Sequence, residues 1–174
     1  MRLSDSSYLV LGLVRDLPGA TPYDLKRMVS VSVGYFWDFP HSQLYAEPAR
    51  LADLGLLDEE QETAGRRRRR YTITAGGRAA LEAWLNDPDS QPSEVRDQGL
   101  LKLFFSTERS EDQIRRLAEI QVKAHQARLA EYEALETRIR GLAPVAQART
   151  LELGLRFERL VVRFWEEVAD APPT

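Results

Sequence analysis

The chain has 174 residues, of which 43% are hydrophobic and 29% are charged, and its formal net charge is −3. This composition is typical of a soluble globular protein with one large domain or two small ones, and it argues against a fibrous or low-complexity chain. The absence of cysteine excludes disulfides, iron–sulfur clusters and thiolate zinc sites, and two histidines far apart in sequence, His41 and His125, argue against a metal site. No apolar run approaches the ~20 residues that span a bilayer. We therefore expect a cytoplasmic protein without cofactor, metal, membrane span or secretory signal.

The first third of the chain predicts three helices. A mostly apolar stretch that Ser4 or Asp5 can cap predicts a helix over 5–16. Thr21 begins a second helix, over 22–31, because threonine is a good N-cap and the proline after it loses no hydrogen bond at the first helical position.

Residues 32–40 are rich in aromatic side chains, and we predict no regular structure there. A third helix over 42–54 ends before Gly55, because glycine adopts the left-handed conformation of a helix end at little cost. Pro48 lies inside this helix, where we expect a kink.

Two strands and a fourth helix follow. The sequence predicts strands over 56–62 and 69–73, joined by a turn at 63–65, because the helical period stops after Gly55 and β-forming residues lie at the end of the second strand. Thr74 is the expected cap of a helix over 75–86.

The second half of the chain is predicted to be helical after a linker over 87–92, where prolines and turn formers cluster. Apolar residues at helical spacing predict helices over 93–106, 110–140 and 144–169, and a capping box of Ser110 and Gln113 starts the second of them.

This order of elements predicts a mainly α protein with an N-terminal winged helix-turn-helix domain (residues 1–86, with a two-stranded wing) and a C-terminal helical dimerisation domain (residues 93–174). A helix about 10–12 Å across fits the major groove of DNA, which is about 12 Å wide, and a basic hairpin can follow the backbone beside it. We therefore predict double-stranded DNA as the partner.

The third helix is the expected reading helix. We expect Ser42 to cap it and contact phosphate, and Gln43 to read an adenine edge through a bidentate pair. The ring of Tyr45 is expected to pack beneath the helix with its hydroxyl at the DNA, and Arg50, a turn further on, is an expected phosphate contact.

The wing carries the strongest local positive charge of the chain, and this local field matters more for binding a polyanion than the net charge. Each phosphate that an arginine neutralises releases condensed counterions, which drives association. The alternative is a solvated charge run in which Glu59, Glu60 and Glu62 of the preceding strand offset the cations. The wing cations are five consecutive arginines: Arg66, Arg67, Arg68, Arg69 and Arg70.

Several segments resemble the PadR family of transcriptional regulators: Tyr8–Leu13, Thr21–Lys26, Ser42–Tyr45, Leu51–Leu56 and Arg69–Gly77, with Leu100–Phe105 similar to the start of the long C-terminal domain in one branch of the family. The resemblance implies a homodimeric DNA-binding repressor, often one that answers to a small molecule.

The segment that matches the family in the second helix supplies three further expected DNA contacts, Thr21, Tyr23 and Lys26. The sequence departs from the family pattern at two prolines. Pro22 replaces the usual glycine, and Pro48 replaces the usual leucine.

The long C-terminal helices are the expected dimer surface, because a winged helix does not need ~80 further residues to fold and apolar stripes bury well against a second copy. Two-fold symmetry would space the reading helices about 34 Å apart, or a multiple of this, and predicts a palindromic operator. The alternative is a helical hairpin within a monomer. The expected interface residues are Leu101, Phe104, Phe105, Leu129, Tyr132, Leu153, Phe157, Leu160, Phe164 and Trp165.

Four aromatic residues are candidates for an effector pocket, with core packing as the favoured alternative: Tyr35, Phe36, Trp37 and Phe39. We predict that the chain is not an enzyme, because it has no Gly-rich phosphate loop, nucleophile motif or metal-spaced histidines. The remaining rival is a winged-helix protein-interaction module without DNA binding, which the negative net charge favours slightly. If it binds DNA, the protein is expected at the nucleoid, as repressor or activator.

Overall fold

The computed structural model describes residues 3–37, 39–40, 42–63, 67–92 and 94–173. The chain divides into two compact units, Met1–Gln91 and Pro92–Thr174. None of the helices in the described ranges is both long and apolar enough to cross a membrane.

The first two helices of the N-terminal unit, α1 (Asp5–Asp16) and α2 (Pro22–Ser30), confirm the sequence predictions. Ser4 caps α1 by accepting a hydrogen bond from the Ser7 backbone N–H, and Thr21 caps α2 in the same way. A single 3₁₀ turn, Val33–Tyr35, interrupts the segment predicted to be irregular.

Helix α3 (Gln43–Asp53) continues across Pro48, whose ring is buried. Ser42 has helical backbone angles and its side chain makes no capping hydrogen bond, so the prediction that it caps this helix is wrong. Gly55 has a φ of +70°, which confirms the predicted left-handed end of the helix.

The wing consists of β1 (Leu57–Gln61) and β2 (Arg69–Ile73), which pair antiparallel with Leu57 opposite Ile73 and Gln61 opposite Arg69. Ala20 bridges to Tyr71, and this ties the turn between α1 and α2 to the wing. Helix α4 (Ala75–Asn86) begins at its predicted cap, where the Thr74 hydroxyl accepts from the Gly77 N–H and donates to the Gly55 carbonyl.

One apolar core holds these elements together. Val10, Leu11 and Val14 of α1 are fully buried against Leu44 and Leu51 of α3 and the buried residues of α2, β1, β2 and α4. This packing leaves the opposite side of α3 exposed.

The C-terminal unit begins with a helix shorter than predicted, α5 (Gln98–Phe104). Residues 94–97 are not helical, because the Asp97 carboxylate accepts from the Gly99 and Leu100 N–H groups and thereby starts the helix at residue 98. The other two helices, α6 (Glu111–Ile139) and α7 (Val145–Asp170), match the prediction closely.

Helices α6 and α7 form an antiparallel hairpin. Trp165 is fully buried in a cluster with Ile114, Ala118 and Val168. Tyr132 is buried against Gly154, where a Cβ atom would lie 2.8 Å from the tyrosine ring. Both aromatic residues were expected in a dimer interface, and that expectation is wrong, because each is already covered by its own chain.

A buried carboxylate also joins these two helices. Glu158 of α7 is almost completely buried, and one of its oxygens lies 2.6 Å from His125 Nδ1 on α6. The Arg128 Nε atom lies 3.8 Å from the other oxygen. The side chain is therefore partnered on both sides, as a buried charge must be.

Candidate nucleic-acid interface

The first turn of α3 presents polar and aromatic side chains to solvent while its other face enters the core. Gln43 and Ala46 are exposed, whereas Leu44 is fully buried. Tyr45 is 53% exposed, so the expectation that its ring packs beneath the helix is wrong. About half of the Tyr45 side chain is available to a ligand, which suits contact with a base or a sugar better than contact through the hydroxyl alone.

Gln43 is held in place by the first helix. The Ser6 hydroxyl donates a hydrogen bond to Gln43 Oε1 over 2.7 Å. An amide positioned in this way needs little further ordering to present its N–H groups to a base edge.

Arg50 is bound within its own domain. Its Nε and Nη2 atoms donate to both oxygens of Glu47 over 2.9 and 2.6 Å, and Nη2 also donates to Ser7 Oγ over 2.9 Å. Burial acts to raise the pKa of Glu47, but hydrogen bonds from Arg50 and Ser7 outweigh it, so that the pKa lies below its usual value. The arrangement clamps α3 to α1, and this role competes with the expected phosphate contact of Arg50. The i,i+3 spacing of Glu47 and Arg50 was the one sequence signal of this clamp.

The clamp predicts a pH-dependent contribution to stability. We expect Glu47→Gln to lower the free energy of unfolding by about 1–2 kcal/mol at pH 7, because a charge-assisted pair is lost. Since the folded state lowers the pKa of Glu47, this stabilisation is present above the ordinary carboxyl pKa and disappears as the pH falls through the folded value. Urea unfolding at pH 7 and at about pH 3 measures the difference. A difference that is equal at the two pH values, or that the exposed control Glu60→Gln reproduces, would contradict the prediction.

Helix α2 offers exposed residues beside a buried cap. Tyr23 is 68% exposed and Lys26 is exposed. Thr21 is buried, and its hydroxyl donates to Asp24 over 2.7 Å. Hydrogen bonds from Thr21 hold the pKa of Asp24 below its usual value. The side chains of Tyr23 and Lys26 are therefore free to approach DNA, whereas that of Thr21 is used within the cap.

The arginines of the wing fall into two groups. Arg69 forms an ion pair with Glu59 of β1, and Arg70 forms one with Glu62, which directly follows β1, as the charge-offset alternative predicted. Arg67 and Arg68 are exposed, and no carboxylate within the described residues pairs with either of them. Arg66 lies outside the described residues. The two unpaired cations therefore lie towards the tip of the wing.

Tyr71 anchors the base of the wing. Its hydroxyl donates to Glu59 Oε2 over 2.8 Å. Burial, followed by this carboxylate, raises the pKa of Tyr71 to about 12. Tyr71 therefore remains a donor at any physiological pH and fixes the position of Glu59.

The four aromatic residues considered for an effector pocket do not share one environment. Phe39 is buried in the core of the N-terminal unit, which favours the core-packing alternative for this residue. Tyr35 is half-buried, whereas Phe36 and Trp37 are exposed. Their part in effector binding stays a prediction.

Helix α7 is apolar on two faces. One face, which includes Trp165, packs on α6. The other carries Leu153, Phe157, Leu160 and Phe164 at heptad spacing, and all four are exposed. Of the remaining residues expected at the dimer surface, Leu129 is half-buried and three are exposed: Leu101, Phe104 and Phe105.

Comparison with known proteins gives matches over both units. The model of the transcriptional regulator PadR-like family matches residues 10–83, and a model described as the C-terminal domain of virulence activator alpha matches residues 95–171. The negative transcriptional regulator PadR of Bacillus subtilis (strain 168) is 31% identical over 130 residues, which are 72% of this chain and 70% of the relative.

Solved structures of PadR-like regulators also match this chain over most of its length. The crystal structure of Bacillus subtilis PadR in complex with operator DNA has a TM-score of 0.84 at 25% identity and covers 94% of this chain and 96% of that chain. The complex of the same protein with p-coumaric acid has a TM-score of 0.78 at 25% identity, with the same coverage. A PadR-like transcriptional regulator from Bacillus cereus, at 17% identity, shares the fold, with a TM-score of 0.83 over 95% of this chain and 96% of that chain.

Proposed function

The chain belongs to the PadR-like family of DNA-binding transcriptional regulators, and from that premise we propose that it is a homodimeric repressor of a palindromic operator. The observation that carries the proposal is the exposed first turn of α3 beside a wing in which two arginines, Arg67 and Arg68, have no carboxylate partner among the residues that the structure describes. Groove contacts from α3 provide sequence discrimination, and the wing provides backbone affinity.

Homodimerisation is supported by the exposed apolar face of α7. Four large side chains at heptad spacing are costly to leave in water, and a second copy of the same face covers them symmetrically. Two-fold symmetry then places the two α3 helices on half-sites about one DNA turn apart, or a multiple of it.

Repression and effector release are supported by a relative. The Bacillus subtilis protein is a negative transcriptional regulator and forms complexes with operator DNA and with p-coumaric acid. We propose the same mode of regulation for this chain, in which a small organic molecule binds the repressor and lowers its affinity for the operator.

DNA binding is tested by fluorescence anisotropy with duplexes from the region upstream of the protein's own gene, at ~50 mM salt, where electrostatic binding is strong. We expect tight binding to one segment, footprinting that shows a palindrome, and lower expression of a reporter placed downstream. Equal affinity for that segment and a scrambled duplex would contradict the proposal.

Direct readout by α3 predicts a specificity variant. Gln43→Ala is expected to lose about 1–3 kcal/mol of discrimination at one base pair of each half-site, because a bidentate amide contact is removed, while affinity for unrelated duplexes stays the same. Competition binding with single-base operator variants measures the change, and Gln91→Ala, in the exposed linker, is the matched control. An unaltered specificity profile would rule out direct readout by Gln43.

One observation favours a second function, a winged-helix interaction module without DNA binding. Two wing arginines already have carboxylate partners, Glu59 and Glu62. This candidate predicts no binding to any duplex at ~50 mM salt, whereas the proposed function predicts binding that weakens steeply as salt is added.

A further inference from the structure

The wing pairs two of its four described arginines with carboxylates on β1 or directly after it. Arg69 Nε lies 3.4 Å from Glu59 Oε1, and Arg70 Nη2 lies 3.1 Å from Glu62 Oε1. The strand register explains both pairs. Gln61 is opposite Arg69 and Glu60 is opposite Arg70, so each partner carboxylate is offset by two residues and lies on the same face of the ribbon as its arginine.

Neighbouring groups hold both pairs in place. The other carboxylate oxygen of Glu59 accepts from the buried Tyr71 hydroxyl over 2.8 Å. Arg70 Nη1 donates to the Gly19 carbonyl over 3.2 Å. The side chains of Arg69 and Arg70 nevertheless remain 52% and 46% exposed. A polyanion in solution can therefore reach the guanidinium groups without unfolding the wing.

We propose that Glu59 and Glu62 occupy Arg69 and Arg70 in the free protein and are displaced by DNA phosphates, so that this exchange sets the affinity of the wing for duplex DNA. The inference rests on the proposed function, because it assumes that the wing meets DNA. Carboxylate and phosphate accept from the same guanidinium N–H groups, so that a carboxylate already bound to an arginine competes with a DNA phosphate for it.

The exchange has a thermodynamic signature. An arginine that meets phosphate releases condensed counterions, but the carboxylate that it leaves regains a cation and is repelled by the DNA backbone. Arg69 and Arg70 therefore contribute less affinity and a shallower salt dependence than Arg67 and Arg68. The effect is the same for every DNA sequence, because phosphates carry no sequence information.

Strand β1 supplies a matched control. Glu60 is exposed on the same strand as Glu59, carries the same charge and forms no ion pair within the described residues. Glu60→Gln changes the field of the wing by one charge without breaking either of these ion pairs. A comparison with Glu59→Gln and Glu62→Gln separates the exchange from the general field.

The experiment measures the affinity of the full-length variants for the operator segment and for an unrelated duplex between about 50 and 200 mM salt. Glu59→Gln and Glu62→Gln are each expected to bind both duplexes about two- to fivefold more tightly than wild type. Their salt slopes should be steeper by up to about 1. Glu60→Gln should change the affinity and the salt slope by less than half as much as either of these variants. Glutamine retains an oxygen that accepts from Tyr71, and an unchanged Tm confirms that the wing is intact.

A double-mutant cycle provides the decisive readout. In an Arg69→Gln background, Glu59→Gln should gain no more affinity than Glu60→Gln, because there is no arginine left to release. The same gain in affinity from Glu59→Gln with and without Arg69 would overturn the inference. Weaker DNA binding by Glu59→Gln or Glu62→Gln would also overturn it, because the carboxylates would then orient the arginines towards DNA. Failure of the wild type and all variants to bind DNA would overturn the proposed function and this inference with it.

Discussion

The double variant Arg67→Gln/Arg68→Gln is expected to bind operator and unrelated DNA about 60-fold more weakly at 0.1 M salt. A phosphate contact with a salt slope of about 0.9 increases the affinity at 0.1 M salt about eightfold relative to that at 1 M salt, and the variant loses two such contacts. Its salt slope should be shallower by about 2. Glutamine retains the aliphatic first part of the side chain and a polar end at Arg67, whose φ of +49° is already unusual. Anisotropy titrations over a range of salt concentrations measure both quantities.

The control for net charge is Arg138→Gln/Arg140→Gln, which removes two exposed cations near the end of α6. We expect this variant to retain nearly wild-type affinity, because the local field at the contact matters and not the total charge. Equal losses in the two double variants, or an unchanged salt slope for the Arg67/Arg68 variant, would remove the tip of the wing from the DNA contact.

The variant Leu160→Glu is expected to convert the proposed homodimer into monomers. Leu160 is 62% exposed at the centre of the apolar stripe of α7. In a two-fold symmetric dimer, the substitution would bury two uncompensated carboxylates, one from each protomer. The cost is at least about 3 kcal/mol, which corresponds to more than 100-fold in the dimer dissociation constant. Light scattering measures the mass, and anisotropy should show a loss of operator binding at concentrations where the wild type is dimeric.

Two further variants make this test specific. Phe157→Glu, on the same stripe, should act in the same way. Arg163→Glu, about a quarter turn away and exposed, should leave the dimer intact. A wild-type chain that is monomeric at all accessible concentrations, or a Leu160→Glu variant that remains dimeric, would contradict homodimerisation through this face.

The element boundaries were largely predictable because the signals for them are local. Thr21 with the following proline, Thr74 and the Ser110–Gln113 capping box each begin a helix in the structure, and Gly55 ends one. The exception is the start of α5, where helical spacing alone predicted too long a helix and the Asp97 carboxylate decides the boundary.

The candidate site was predictable in outline only. Sequence reasoning selected α3 and the wing, but it assigned Arg50 to phosphate, whereas the structure pairs it with Glu47 and with Ser7, which lies 43 residues away. The same applies to Tyr45, whose ring was expected to be covered and is exposed. The orientation of each side chain depends on neighbours that lie far away in sequence.

The amino-acid sequence by itself determined the type and order of the helices and strands, because capping, glycine conformation and hydrophobic period act within a few residues. It also carried the resemblance to the family. Tertiary structure alone decided which of two apolar stripes of α7 is covered, with Trp165 inside and Leu160 outside, and which wing arginines have a partner. The first outcome depends on contacts between residues distant in the chain, and the second depends on the register of the two strands of the wing. Composition and period are nearly the same for a stripe that faces its own chain and one that faces solvent.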